Sequence, residues 1–285
     1  MTGRLAALPA LLYEPLVRRA LEEDLGRAGD LTSDAILPPD LQAEARVVAR
    51  KPGRLAGLEA ATAAFRILDS NIQIELRSAD GQDVAAGETL AIVRGPARSI
   101  LSAERTALNL LGRLCGVATA TRDLVALVAP YGARIVCTRK TTPGLRALEK
   151  YAVKAGGGSN HRFGLDDAVL IKDNHVALAG GIRPAVERAR AYVGHLVKIE
   201  VEVDSLDQLR EALDLQVDVV LLDNMSLDSL REAVKMAKGK ALTEASGGIT
   251  PETAPAVAAT GVDMISVGWL THSSPALDVA LDVIS

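Results

Sequence analysis

The apolar positions of this chain follow two rhythms, and the change falls near Tyr131-Gly132. Before it, helical spacing and strand alternation are mixed. EPLVRRALEEDLG repeats its apolar residues at helical intervals from Glu14 to Leu25 and stops at Gly26. Gly29 to Asp34, GDLTSD, reads as a turn or cap cluster. From Gln42 to Arg50, small apolar residues alternate with charged ones, as on a half-exposed strand. A helix is expected over about Glu59 to Leu68. Strands are expected over Ile72 to Arg77 and Thr89 to Val93, around the turn residues Asp80-Gly81 and Ala86-Gly87. This is an α+β domain with an antiparallel sheet. The pattern from Ala97 to about Val128 is helical throughout, with Gly112 and Gly116 as close-packing or bend points.

After Tyr131-Gly132 short apolar runs alternate with helical stretches. Strands are expected at 134–138, 168–172, 196–203, 217–223, 240–245 and 262–267, with helices such as Leu206 to Leu213 and Leu227 to Ala237 between them. That alternation predicts parallel βαβ units. Six units can be counted, with room for a seventh, so an α/β barrel would be incomplete. An open doubly wound sheet competes, but no Gly-x-Gly-x-x-Gly follows the first strand.

Composition narrows the classes. At 285 residues, two domains are the default. Hydrophobic content is 48% but aromatic content only 2%, so the core must be Ala, Leu, Val and Ile. A net charge of -4 argues against nucleic acid as partner. Cys115 and Cys137 cannot build a disulfide framework and fit a reducing cytoplasm, each best read as a small buried hydrophobe. MTGRLAALPALLY runs straight into an amphipathic helix, not a cleavage region, and no uncharged run is long enough to span a membrane.

Chemistry gathers at the ends of the second set of strands, where βα barrels carry their sites. Thr138-Arg139-Lys140 ends the first, and Lys172 ends the second, with His161 and Arg162 between them behind a triple glycine. Buried cations need partners, and a ligand must supply them where the protein does not. LVKIEVEV puts Lys198, Glu200 and Glu202 on one face. Lys198 with Glu200 suggests an internal ion pair, leaving Glu202, nearest the mouth, for a ligand. Asp223 ends the fourth strand. Ser246-Gly247-Gly248 follows the fifth and precedes a helix start, and Val267-Gly268-Trp269 ends the sixth, both placed to hold a phosphate. The mouth is thus cationic, then acidic, then glycine-lined. It suits a ligand with a carboxylate end, a hydroxylated middle that could carry Mg²⁺, and a terminal phosphate. On the long helix, Arg105 and Asn109 share a face, which alone reads as a surface arginine.

ERTALNLLGRLCGVAT, TRKTTPGLRALEKYAVKAGGGSNHR, LIKDNH, IEVEV, LLDNM, EASGGI and ISVGWLT, in this order and with the early GDLTSD, resemble the quinolinate phosphoribosyltransferases over nearly the whole chain. The resemblance implies an N-terminal α/β sandwich domain at 1–115, an incomplete six- or seven-stranded barrel at 116–275, and a C-terminal segment, 276–285, packing back on the first domain. It implies the reaction of quinolinate with phosphoribosyl pyrophosphate to nicotinate mononucleotide, pyrophosphate and CO₂, with Mg²⁺ and no organic cofactor. Arg105, Arg139, His161, Arg162 and Lys172 would contact quinolinate, beside Thr138. Lys140, Glu202 and Asp223 would serve the pyrophosphate, its metal and the ribose. Ser246, Gly247, Gly248, Val267, Gly268 and Trp269 would hold the 5-phosphate. Arg105 would reach into a neighbouring subunit's site, so the working unit is a homodimer or an oligomer built from it, with no nucleic acid or membrane partner. The rival readings are a paralogous phosphoribosyltransferase for another acid, a Schiff-base aldolase using Lys140 or Lys172, and a non-catalytic sensor.

Overall fold

The computed structural model describes residues 5–284. Two compact units emerge. One holds the chain up to Arg122, Thr141–Gly157, and the chain from Leu270 onward; the other holds Asp123–Lys140 and Gly158–Trp269.

In the first unit, Pro15 in the opening turn and Gly26 at the C-cap, with φ of 55°, bound helix α1 (Glu14–Leu25), which buries Val17 and Leu21. The GDLTSD cluster opens a short helix, α2 (Leu31–Ile36), because the Asp30 carboxylate accepts the Ser33 N–H at 3.0 Å. The strands β1 (Gln42–Ala49), β3 (Gln73–Leu76), β5 (Thr89–Pro96) and β12 (Val279–Ile284) form an antiparallel sheet in the order β12-β1-β5-β3. The C-terminal segment is therefore an edge strand, registered from Glu44↔Ile284 to Ala49↔Val279. A two-residue ribbon joins β2 (Gly53–Arg54) to β4 (Asp83–Val84). Helix α3 (Leu58–Leu68) buries Leu58, four alanines and Phe65, a core of small side chains.

Helix α4 (Ala97–Val128) is continuous for 32 residues. Its glycines are close-packing points. A Cβ at Gly116 would stand 2.0 Å from the Pro275 carbonyl oxygen, and one at Gly112 2.9 Å from that of Leu277. Helix α5 (Arg146–Ala155) carries Glu149, which is fully buried. Its Oε1 accepts from Arg113 Nε and Nη2 at 3.1 and 2.7 Å and from Thr142 Oγ1 at 2.8 Å, and its Oε2 from the Thr142 amide at 2.9 Å. Arg113 also donates to the carbonyls of Thr271 and Ser274.

In the second unit six strands run parallel: β6 (Arg134–Val136), β7 (Val169–Ile171), β8 (Ile199–Val203), β9 (Val219–Asp223), β10 (Leu242–Ser246) and β11 (Met264–Ser266), in the order β6-β11-β10-β9-β8-β7. Helices α6 (Asp173–Ala179), α7 (Ile182–Tyr192), α8 (Leu206–Asp214), α9 (Leu227–Ala237) and α10 (Ala254–Ala258) lie between successive strands, and α11 (Trp269–His272) begins at the unit's last residue. First and sixth strands pair, but no ladder joins β6 to β7 among the described residues, so the barrel is incomplete. Ser159 partly fills that gap: its amide donates to Ile135 O at 2.8 Å and its carbonyl accepts from Cys137 N at 3.1 Å. It acts as a one-residue seventh strand, supplied by the triple-glycine loop.

Candidate active site

The register of the barrel levels the strand ends. Ser246 pairs with Asp223, Val203 with Leu222, and Ser266 with Val136. Thr138, Arg139 and Lys140 leave the end of β6, Lys172 the end of β7, Glu202 and Asp223 close β8 and β9, and Ser246–Gly248 and Val267–Trp269 follow β10 and β11. All of these lie in the second unit, at the carboxyl ends of one parallel sheet.

On the cationic side, the Lys140 amide donates to Thr138 Oγ1 at 3.0 Å, folding the Thr138–Lys140 turn. Arg162 Nη1 donates to Ala168 O at 3.1 Å, while Asp167 takes the amides of Phe163 and Gly164 and shapes the loop between. The Nε atoms of Arg139 and Arg162 are buried and have no hydrogen-bond partner among the described residues. Burial and the neighbouring Arg139 charge lower the pKa of Arg162, with Glu200 opposing them. Lys172 Nζ donates to Glu202 Oε2 at 2.7 Å, and its backbone N–H to His175 Nδ1 at 3.0 Å.

Beside these cations lies a cluster that local pattern did not bring together. His161 Nε2 is 2.8 Å from Glu200 Oε2 and 3.8 Å from Glu244 Oε1. Glu200 and Glu244 are buried, each with one oxygen that has no hydrogen-bond partner among the described residues. Glu244 is pushed up to about 7, first by burial and then by the Glu200 charge. These three could present metal-ligating atoms within 4.8 Å of one another. The His161–Glu200 distance is that of a direct hydrogen bond, which a shared proton explains. The alternation of KIEVEV was the available signal for Glu200. For Glu244 there was none.

Two expectations need correction. Lys198 does not pair with Glu200. The β8 ladder starts at Ile199, so Lys198 stands outside it, 74% exposed, and bonds to Asp218, whose other oxygen takes the Ile199 amide. Nor does a helix start directly after Ser246–Gly248: α10 begins only at Ala254, after a turn through Thr250–Thr253, and has five residues. The helix dipole therefore lends nothing there, and the case for an anion rests on the glycines. Gly247 has φ of 105°, and a Cβ on it would meet Asn224 Oδ1 at 2.1 Å; Gly248 has φ of 57°. Asn224, itself at φ of 52°, binds Ser246 O through its amide and Asp223 Oδ2 through its side chain. Trp269 Nε1 donates to Ile249 O at 2.9 Å, joining the two glycine-containing segments.

Arg105 lies in the first unit. Its side chain is 64% exposed and, with Asn109, Arg113, Glu23 and Asp24, lines a hollow of about 250 Å³.

Comparison with known proteins identifies the family over nearly the whole chain. The profile described as "Quinolinate phosphoribosyl transferase, C-terminal domain" matches residues 117–282, and its N-terminal counterpart residues 30–115. A probable nicotinate-nucleotide pyrophosphorylase [carboxylating] of Bacillus subtilis is 47% identical, covering 96% of this chain and 94% of its own. One from Synechocystis is 42% identical, over 97% and 94%. The solved nicotinate-nucleotide pyrophosphorylase of Francisella tularensis superposes with a TM-score of 0.94 at 42% identity, covering both chains completely.

Proposed function

The chain belongs to the quinolinate phosphoribosyltransferase family, and on that footing we propose how its barrel mouth carries the family's reaction. It is a pentosyltransferase of NAD biosynthesis, converting quinolinate and phosphoribosyl pyrophosphate to nicotinate mononucleotide, pyrophosphate and CO₂.

Arg139, Arg162 and Lys172, with His161 beside them, form the quinolinate end. The observation that carries this is the pair of buried, unpartnered Nε donors on Arg139 and Arg162. Each guanidinium disfavours the other, and adjacent carboxylates on one ring satisfy both in the bidentate geometry arginine prefers. Lys140 attends the pyrophosphate. Ser246–Gly248 and Val267–Trp269 take the 5-phosphate, where a bare backbone permits close approach. Glu202 and Asp223 each engage one oxygen in the hydrogen bonds described, and an all-oxygen donor set suits Mg²⁺. Bound there, the ion would offset charge on the departing pyrophosphate. The same carboxylates stabilise the oxocarbenium-like ribosyl centre as pyrophosphate leaves. The ring nitrogen, positive once ribosylated, then accommodates the carbanion left by CO₂, so no organic cofactor enters the scheme.

The working unit in this reading is a homodimer in which Arg105 completes the partner's quinolinate site. Exposed Leu165 and Leu178 line one hollow of the second unit, an apolar surface that suits a protein partner. A cytoplasmic setting agrees with two buried cysteines that form no disulfide among the described residues, and no described helix is long and apolar enough to cross a membrane.

The test is release of both pyrophosphate and CO₂ from quinolinate, phosphoribosyl pyrophosphate and Mg²⁺. Failure of either product, or CO₂ release without the ribosyl donor, overturns the reading.

A further inference from the structure

His161 is held at both ring nitrogens. The Arg162 amide lies 2.8 Å from Nδ1, and Glu200 Oε2 lies 2.8 Å from Nε2. A backbone amide can only donate, so Nδ1 carries the lone pair and the ring proton sits on Nε2, pointing at Glu200. The imidazole is then neutral, and neither nitrogen is left to donate to a substrate carboxylate. What the ring does hold is the main chain of Arg162. The guanidinium of that residue is tied through Nη1 to Ala168 O, with Nε buried and unpartnered. Glu200 is itself fixed, its side chain 9% exposed in the β8 ladder, and Glu244 faces the same ring edge from β10 at 3.8 Å.

We propose that Glu200 and His161 are positioning residues for Arg162, a chain from carboxylate to imidazole to backbone amide that aims the Arg162 guanidinium at a substrate carboxylate. His161 acts through Arg162 and makes no hydrogen bond to quinolinate. This rests on the reading of Arg162 as a quinolinate ligand. It also gives Glu200 a role that a solvated or ion-paired strand residue would not have.

Two substitutions separate the ring's functions. His161→Asn sets an acceptor where Nδ1 stood, and His161→Gln sets a donor where Nε2 stood. Positioning of Arg162 requires the acceptor. The KM for quinolinate should rise about tenfold in His161→Gln and in His161→Ala but less than about threefold in His161→Asn, while kcat and the KM for phosphoribosyl pyrophosphate change little. Glu200→Leu should resemble His161→Ala, and the double variant should be no worse than either. Nitrogen-15 spectra of the wild-type histidines supply a readout that does not depend on a variant folding. They should show His161 as the Nε2–H tautomer, unchanged when quinolinate is added. A doubly protonated His161 in the quinolinate complex, or equal KM increases in the Asn and Gln variants, overturns the proposal. If the wild type does not bind quinolinate, the functional reading falls instead, and the tautomer in the free protein still decides whether the chain exists.

Discussion

Lys172 Nζ and Glu202 Oε2 stand 2.7 Å apart, so the lysine assigned to quinolinate and the acid assigned to ribose and metal neutralise one another across β7 and β8. A substrate carboxylate that draws the lysine away also releases the acid. Glu202→Gln should therefore lower kcat by roughly 10²- to 10³-fold while quinolinate binds as well as before or better. Asp223→Asn should lower kcat similarly. Equilibrium binding beside saturating kinetics checks both; lost quinolinate affinity with intact turnover would contradict the assignment.

Nicotinate should be a poor substrate. It lacks one carboxylate and leaves a cation among Arg139, Arg162 and Lys172 unpaired in a partly buried site, at a cost of about 2–5 kcal/mol. Comparable kcat/KM for the two acids would rule this out.

Glu149 should matter for stability. Glu149→Leu strands the Arg113 guanidinium and the Thr142 amide, a loss of about 3–5 kcal/mol. Arg113→Leu combined with it should cost less than the sum of the two, because one interaction is removed in common. Chemical denaturation of the three variants measures this, and additive losses would show that the pair is not coupled.

Glu244 should make stability depend on pH. Its folded pKa lies above the ordinary 4.5, so the folded state holds its proton more tightly than the unfolded chain does. The contribution is intact below pH 4.5 and is lost as pH rises through about 7. Glu244→Gln cannot ionise. Its stability relative to wild type should climb across that window and level off above it, as denaturation midpoints taken against pH would show. A difference that stays flat with pH would mean that Glu244 titrates normally.

Arg105 tests the shared site. Homodimers of Arg105→Ala and of Lys140→Ala should each be nearly inactive. A mixed dimer places both lesions in one site and leaves the other whole, so about half the wild-type activity should return, for independent sites. Mixed dimers as inactive as the parents, or an active Arg105→Ala homodimer, would remove Arg105 from the partner's site.

Much of this architecture could be read from local pattern. Helix α1 runs from Glu14 to Leu25 as its periodicity and Gly26 require, and the 32 residues of α4 follow one uninterrupted helical repeat. Strand ends were overrun: the apolar pair Leu196-Val197 continues the β8 pattern, but the ladder begins at Ile199, where pairing with β7 starts. Helix α5 lay inside a segment dominated by its charges, and the Glu149 network depends on Arg113, 36 residues earlier. The His161–Glu200–Glu244 cluster is assembled from the loop between α5 and β7 and from two separate strands, a proximity that only the parallel sheet creates. Site residues at strand ends are legible because the βα repeat itself fixes where they sit. Partners that meet in the interior leave no comparable local trace.

Trp269 is the only tryptophan in the chain, and its indole N–H is bound to the Ile249 carbonyl. Indole fluorescence from this protein therefore has one source, at the seam of the two loops assigned to the 5-phosphate. Excited at the red edge, where the four tyrosines are silent, the protein carries its own optical probe of that seam. A ligand's arrival there can be followed as a change in colour or brightness, without labelling and without turnover.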